Sequence, residues 1–201
     1  MHAFHQVLNK FMKKLIKKFW GLFFSVLLIV TFCFPAVNHA SEPRIRDVLI
    51  TNDFENVLLY ARLINGFKPE MERAVSAGIS TVFTMWIEVY EERPLLWDRK
   101  IKAQEIIRTI QYDNLKKTYT VATTKSEPVV FNNYESAQKA MSDFNGIVIA
   151  PMSALTKGRN YYMMVKIKMD KVRLPLHMES VFFFVSFWDF ETSWYRQKFS
   201  Y

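Results

Sequence analysis

The feature that most constrains the fold is a stretch of twelve residues, Ile79 to Tyr90, in which two classes of side chain alternate. Odd-numbered positions are mostly apolar, whereas even-numbered positions include serine, threonine and glutamate. Successive side chains of a strand point to opposite faces of its sheet, so this period of two predicts a long strand with one buried face. Because Trp86 and Tyr90 lie on the second face, we expect that face to be at least half covered.

Shorter segments of the same kind precede and follow this strand. The predicted strands cover residues 45–51, 57–63, 79–90, 99–112, 119–123, 147–150, 161–169 and 181–188. The segment 99–112 also fits a helical period, and we interpret it as a strand with a bulge near Glu105. Residues 126–132, around Pro128, are predicted to form a loop.

Two helices are predicted between the strands. The first covers residues 69–77, with Pro69 at a first helical position and Gly78 closing it. The second is capped by Asn133 and stopped by Gly146. Strands mostly follow strands, so we expect an α+β, mainly β class, an antiparallel sheet or β-sandwich with two short helices inserted, preceded by an N-terminal hydrophobic helix.

The first forty residues have the three-part layout of an export signal. An uncharged apolar run from Phe19 to Phe34 follows five lysines, and a polar stretch then ends at Ala40. The 16-residue run would span roughly 24 Å as a helix, short of a hydrocarbon core of about 30 Å, which favours a signal cleaved near Ala40. The alternative is an uncleaved anchor in which residues 19–37 hold the protein at the inner membrane.

The net charge of +8 is concentrated in this N-terminal segment, where positive flanks stay cytoplasmic. Residues 41–201 carry 22 basic and 19 acidic side chains. We therefore predict no nucleic-acid binding. Residues 1–40 are predicted to be the signal peptide or anchor, and residues 41–201 to be a single β-rich extracytoplasmic domain in the periplasm.

Few residues in the predicted domain could carry catalysis. Cys33 lies in the apolar run, and His177 is the single histidine after residue 40. A serine nucleophile needs a positioned base, and a zinc site needs clustered cysteine and histidine. No glycine-rich phosphate loop is present. We therefore predict no catalytic, cofactor-binding or metal-binding residues, and we lean toward a protein that is not an enzyme.

Carboxylates near the end of the long strand are the remaining chemical candidates. Paired carboxylates can hydrolyse glycosides, and this group comprises Glu88, Glu91, Glu92 and Asp98. Arg93, Arg99 and Lys100 interleave with them. We favour the interpretation that these charges form surface ion pairs.

Aromatic residues crowd the end of the chain, from Phe182 to Tyr201. This density exceeds what one sheet face buries. One interpretation is core plus sheet edge, and the other is an apolar groove or a surface that docks on lipid or a membrane partner. Tryptophan and tyrosine favour interfaces at which one end of the side chain stays wet. The candidate ligand or partner surface comprises Trp97, Tyr112, Tyr119, Trp188 and Trp194.

Five short motifs resemble a family of uncharacterised exported proteobacterial proteins, the domain of unknown function DUF4390. The motifs are Gly78-Ile79, Trp97-Asp98, Tyr112-Asp113-Asn114-Leu115 followed by Tyr119, Leu174-Pro175 and Ser186-Phe187-Trp188. The family often has a second tryptophan in the turn where this chain has Leu96. The resemblance implies an exported, β-rich protein without an assigned activity.

Three functional hypotheses follow. The first is a non-enzymatic envelope protein that binds an apolar ligand or the periplasmic part of a membrane protein. The second is a hydrolase that uses the carboxylates between Glu88 and Asp98 on an envelope polymer, and it requires one carboxylate of raised pKa in a cleft. The third is an accessory to a membrane sensor kinase.

Overall fold

The structure is a computed structural model that describes Trp20, residues 42–170 and residues 188–201. Contacts divide the chain into Met1–Ala40 and Ser41–Tyr201, and every element below belongs to the second unit. Within the described ranges, no helix is long and apolar enough to cross a membrane. Except for Trp20 and Trp188, the predicted anchor at 19–37 and the predicted strand at 181–188 lie outside those ranges, as does His177.

The described part of the chain is dominated by strands. In order, its elements are β1 (Arg44–Asn52), β2 (Asn56–Ile64), α1 (Met71–Ser76), β3 (Thr81–Glu91), β4 (Arg99–Asp113), β5 (Thr118–Thr123), β6 (Val129–Phe131), α2 (Tyr134–Ser142), β7 (Asp143–Pro151), a 3-10 turn (Met152–Ala154), β8 (Asn160–Met169), β9 (Phe190–Glu191) and β10 (Tyr195–Ser200). The predicted class, mainly β with two helical insertions, is confirmed.

The strands pair into two antiparallel sheets. The smaller sheet has the order β1-β2-β7, and the larger has the order β10-β8-β3-β4-β5-β6 with β9 beside β8. Buried side chains from both sheets and both helices form a single hydrophobic cluster. The two sheets therefore share one core, which is the sandwich alternative of the predicted fold.

Side-chain hydrogen bonds explain why the predicted turn between β1 and β2 and the predicted cap of α2 form where expected. Asp53 Oδ1 accepts from the backbone N–H groups of Glu55 at 3.1 Å and Asn56 at 2.7 Å, which closes the β1–β2 hairpin. Asn133 Oδ1 accepts from Ser136 N at 2.8 Å and so caps α2. Gly78 follows α1 with a φ of +92°, the left-handed geometry expected after a helix.

Three local predictions were wrong. The bulge of β4 lies at Ile101 and not near Glu105, because Val89 pairs with Lys102 while Tyr90 pairs with Lys100. The predicted loop at 126–132 contains strand β6, whose alignment depends on pairing with β5. Helix α2 ends at Ser142, well before Gly146.

The end of α2 differs from the prediction because β7 begins immediately after it, at Asp143. Gly146 lies inside β7 with a φ of +67°, beside an irregularity in the β2–β7 register. A glycine in a strand often marks such a bulge. Gly146 does mark a break in regular structure, as predicted, but the break is a strand irregularity and not the end of a helix.

The two faces of β3 have different environments. The inner face carries Phe83, Met85 and Ile87, all nearly inaccessible to solvent. On the outer face, Trp86 and Tyr90 are partly exposed. The outer face was predicted to be half covered, and this is confirmed. Of the residues considered below, Trp86, Glu88 and Tyr90 project from this outer face.

Candidate functional site

The structure distributes the five predicted surface residues over different regions. Trp97 lies in the turn before β4 and is 93% exposed, whereas Trp188 is buried in the core cluster. Tyr112 and Tyr119 contact each other, with ring centroids 4.7 Å apart. Trp194 precedes β10 and is partly exposed.

Among these five residues, the tyrosine pair is held by packing and by a hydrogen bond. Tyr119 is buried, and its hydroxyl lies 2.8 Å from the hydroxyl of Ser76. Trp97 precedes β4 and Tyr112 is the second-last residue of that strand, so most of its length, roughly 40 Å at about 3.3 Å per residue, separates them. The five side chains therefore do not form one continuous surface.

The most exposed apolar group in the turn between β3 and β4 is the apolar tip, defined as Leu95, Leu96 and Trp97. Their exposed fractions are 94%, 70% and 93%. Three consecutive apolar side chains at this exposure contribute almost nothing to the core, so a role in contact with another molecule is the natural interpretation.

Asp98 holds the turn that presents the apolar tip. Its carboxylate accepts from Arg93 N at 3.1 Å and from the Tyr162 hydroxyl at 2.9 Å. These two hydrogen bonds hold the pKa of Asp98 below its usual range, and the bond from Arg93 has the larger effect. Burial and the bond to Asp98 raise the pKa of Tyr162 to about 12. The tip is thus carried on a turn with fixed contacts.

A buried carboxylate lies beneath the turn. Glu91 is buried, and its Oε2 accepts from Arg99 Nε at 2.8 Å and Nη2 at 2.7 Å. Arg93 and Arg159 lie at 3.8 Å and 4.0 Å from the same carboxylate. A buried charge needs such partners, so Glu91 serves to fix the surrounding arginines at this end of the sheet.

The predicted ion pairs form at Glu88 and Glu91, although Glu91 is buried and not at the surface. Glu88 accepts from Lys100 at 2.8 Å and from the Tyr90 hydroxyl at 2.6 Å. These bonds lower the pKa of Glu88, and the bond from Lys100 has the larger effect. Glu92 pairs with Arg196 at 2.9 Å and Lys198 at 2.7 Å.

This arrangement bears on the hydrolase hypothesis, which requires a protonated carboxylic acid in a cleft. The pKa values of both Glu88 and Asp98 are lowered, so both carboxylates are ionised at neutral pH. Glu91 is engaged by arginine. The charges at this end are therefore arranged as ion pairs that order the surface.

Aromatic rings and cations alternate across the outer face of the larger sheet. Tyr90 and Tyr162 stack with centroids 5.0 Å apart and planes at 11°. Lys100 Nζ lies 5.3 Å from the Tyr90 centroid, and Arg196 Cζ lies 3.7 Å from the Tyr162 centroid. Cations close to both rings of a stacked pair stabilise this row.

A cleft lies farther along the same face, and we call it the sheet cleft. Lys166 Nζ is 5.2 Å from the centroid of the Trp86 ring and 4.9 Å from that of Trp194. The cavity has a volume of about 420 Å³, and Glu88 and Glu105 also line it. Across residues 42–170 and 188–201, no group of three histidine, cysteine or carboxylate side chains is arranged to hold a metal ion.

Sequence reasoning missed several residues of these sites. The exposure of Leu95 and Leu96 could have been predicted, because two apolar residues that follow Pro94 in a charged turn are too far from the strands to be buried in the core. Trp86 and Tyr90 were recognised as lying on the second face of β3, but their partners Lys166 and Tyr162 are more than seventy positions away. No local pattern connects them.

Comparison with known families gives one match. The model of a family described as "Domain of unknown function (DUF4390)" matches residues 40–198. Neither a search of curated proteins nor a search of solved structures returned a significant match.

Proposed function

Because the chain belongs to the DUF4390 family, whose description assigns no activity, we propose a function from its own surface. The protein is a non-enzymatic cell-envelope protein whose β-rich domain docks on a membrane surface through the apolar tip. The observation that carries this proposal is that Leu95, Leu96 and Trp97, consecutive in one turn, are each at least 70% exposed.

The size of the apolar tip sets the expected strength of docking. Transferring a large apolar side chain out of water is worth about 1.5–3 kcal/mol, so three such residues approach the marginal, reversible membrane affinity of a single acyl chain. Tryptophan also prefers the interface between headgroups and acyl chains. The tip therefore supports reversible attachment and would not anchor the protein permanently.

Basic residues around the turn favour an anionic membrane. At this end of the larger sheet, basic side chains outnumber acidic ones, with Arg93, Arg99, Lys100, Lys157, Arg159, Arg196 and Lys198 against Glu88, Glu91, Glu92 and Asp98. Each basic residue near an anionic surface adds up to about 1 kcal/mol, less where it is already ion-paired. Electrostatic attraction thus complements the apolar tip.

The N-terminal segment supports a cell-envelope location. Its lysines and apolar run predict export, with residues after it on the far side of the inner membrane. A docking surface for anionic lipid is useful in that location whether residues 1–40 are cleaved or retained. The hydrolase and sensor-accessory alternatives draw no comparable support from the described surface.

Quenching of tryptophan fluorescence by lipids with brominated acyl chains tests the proposal. The full chain is added to vesicles containing brominated phosphatidylglycerol, and the contribution of Trp97 is the difference between wild type and W97F. We expect a large quenched contribution from Trp97, because bromine quenches only rings that reach the acyl region. Added salt should reduce it, since screening weakens the attraction of the basic residues.

Two control variants sharpen this test. W194F removes a tryptophan outside the tip and should leave the quenching by brominated lipid almost unchanged. L115S removes a leucine that is 95% exposed beside two lysines in another turn, and it should leave Trp97 quenching intact. Equal quenching in wild type and W97F would overturn bilayer docking, as would crosslinking of position 97 to a membrane protein with no lipid contact.

A further inference from the structure

The sheet cleft is separate from the apolar tip and has a different chemical character. Trp86 lies midway along β3, and Trp194 precedes β10, the strand at the edge of the sheet order. Their rings flank the ammonium group of Lys166, which also pairs with Glu191 at 2.6 Å. The cleft is therefore bounded by two flat apolar surfaces held in position by a charged side chain.

Acceptor and donor groups both line the cleft. The Glu88 carboxylate uses two hydrogen bonds, from Lys100 and Tyr90, and a carboxylate has about four acceptor positions. Glu105 is exposed at the rim. Lys166 has three N–H donors, of which Glu191 engages one. The cleft can thus both donate hydrogen bonds to a ligand and accept them from it.

The charges around the cleft are close to balanced. Lys166 and Lys100 are set against three carboxylates, those of Glu88, Glu105 and Glu191. Carboxylates at the cleft would repel an anionic ligand, and the ammonium groups of Lys166 and Lys100 would repel a cationic one. Charge complementarity therefore favours an uncharged ligand with many hydroxyl groups.

We infer that the sheet cleft binds an uncharged glycan, with a sugar ring packed on Trp194 or Trp86 and its hydroxyls bonded to Glu88, Glu105 and Lys166. The C–H face of a pyranose ring is apolar and flat, so it matches an indole ring, while its hydroxyls both donate and accept. The volume of about 420 Å³ is in the usual range for small-ligand sites, and its open form suits one or two units of an extended chain.

Nuclear magnetic resonance of the tryptophan indole N–H groups tests this inference on the full chain in detergent micelles. The probes are hexasaccharides of β-1,4-linked glucose and of β-1,4-linked N-acetylglucosamine. We expect at least one probe to shift the Trp86 and Trp194 signals and to leave the Trp97 signal in place. A binding isotherm from the same titration gives the affinity.

Variants of exposed residues keep the test independent of folding. W194A should weaken binding about tenfold, and E105Q should weaken it less, because an amide still accepts one hydrogen bond. W97A should bind the sugar as wild type does, so failure of membrane docking and failure of glycan binding are distinguishable.

Three results would overturn the inference. One is the absence of indole shifts with both neutral probes at the highest soluble concentration. Another is a shift that survives W194A unchanged. The third is tighter binding of a polygalacturonate hexasaccharide than of either neutral probe, which would show that the site selects anions.

Discussion

The turns at the two ends of β4 use similar local chemistry and have different surroundings. Asp98 shapes the turn before the strand, and Asp113 shapes the turn after it by accepting from Leu115 N at 2.9 Å and Lys116 N at 3.0 Å. The first turn exposes three consecutive apolar side chains, whereas the second exposes Leu115 alone. A single exposed leucine is ordinary, and a contiguous apolar group is not.

The halves of β4 adjoining these turns also differ in packing. Toward the second turn, Arg108 is buried and donates to the carbonyls of Ala140 at 2.6 Å and Asp143 at 2.9 Å. Its guanidinium lies 4.2 Å from the Phe144 ring centroid. Burial lowers the pKa of Arg108 to about 10. Toward the first turn, the charged side chains are largely at the surface.

This difference separates residues that stabilise the fold from residues that are available for binding. Polar and aromatic groups in the second half of β4 bond to the carbonyls at the end of α2 and pack against the core, so substitutions there should lower the free energy of unfolding. Apolar groups at the first turn contact solvent, so changes there should affect binding. The following predictions test that division, from the largest expected effect on stability to the smallest.

The variant R108A should show the largest destabilisation. It leaves the carbonyls at the end of α2 without their donor, and each buried unsatisfied group costs about 1–3 kcal/mol, so the free energy of unfolding should fall by about 3 kcal/mol. Urea unfolding monitored by circular dichroism measures this. R196A, at an exposed arginine above Tyr162, is the matched control and should cost less than about 1 kcal/mol. A loss below that value for R108A would contradict the division.

The variant Y119F should cost about 1 kcal/mol, because it removes the hydrogen bond to Ser76 and keeps the ring contacts with Tyr112 and Tyr134. Urea unfolding of Y119F, S76A and the double variant gives the coupling between the two hydroxyls. We expect the double variant to be less destabilised than the sum of the single variants. Strict additivity would show that the bond contributes nothing.

Acid should loosen the first turn through Asp98. The folded pKa of Asp98 is lowered, so the stabilisation by its carboxylate is complete above the unfolded pKa of about 3.9 and is lost as pH falls through the folded pKa. Trp97 emission should therefore change below about pH 4 in wild type and much less in D98N. D113N, at the other turn, should retain the wild-type response of Trp97. A response independent of Asp98 would assign the change to another group.

The double variant L96S/W97S should have the smallest effect on stability, within about 0.5 kcal/mol of wild type in urea, because exposed side chains contribute little to the core. Its vesicle binding should nevertheless fall. Loss of several kcal/mol would place the apolar tip in the core and remove the basis of the proposed docking.

The local pattern of the sequence predicted most of the secondary structure. Alternation located β3 and β8, and the cap at Asn133 located the start of α2, because these signals depend on neighbouring residues. The bulge at Ile101 and strand β6 were missed because each depends on a partner strand. At the candidate sites, the sequence correctly predicted that Trp97 is exposed. The five predicted surface residues do not lie together in the structure.

The amino-acid sequence by itself determined the β-rich class, the family and the face of β3 that enters the core. Only the tertiary structure decided that β7 pairs with β2, that Arg108 caps the end of α2, and that Lys166 lies between Trp86 and Trp194. The physical reason is the sequence separation between the residues that interact. Periodicity and capping arise from residues within a few positions of each other, whereas strand pairing and buried polar contacts are selected by the packing of the whole domain.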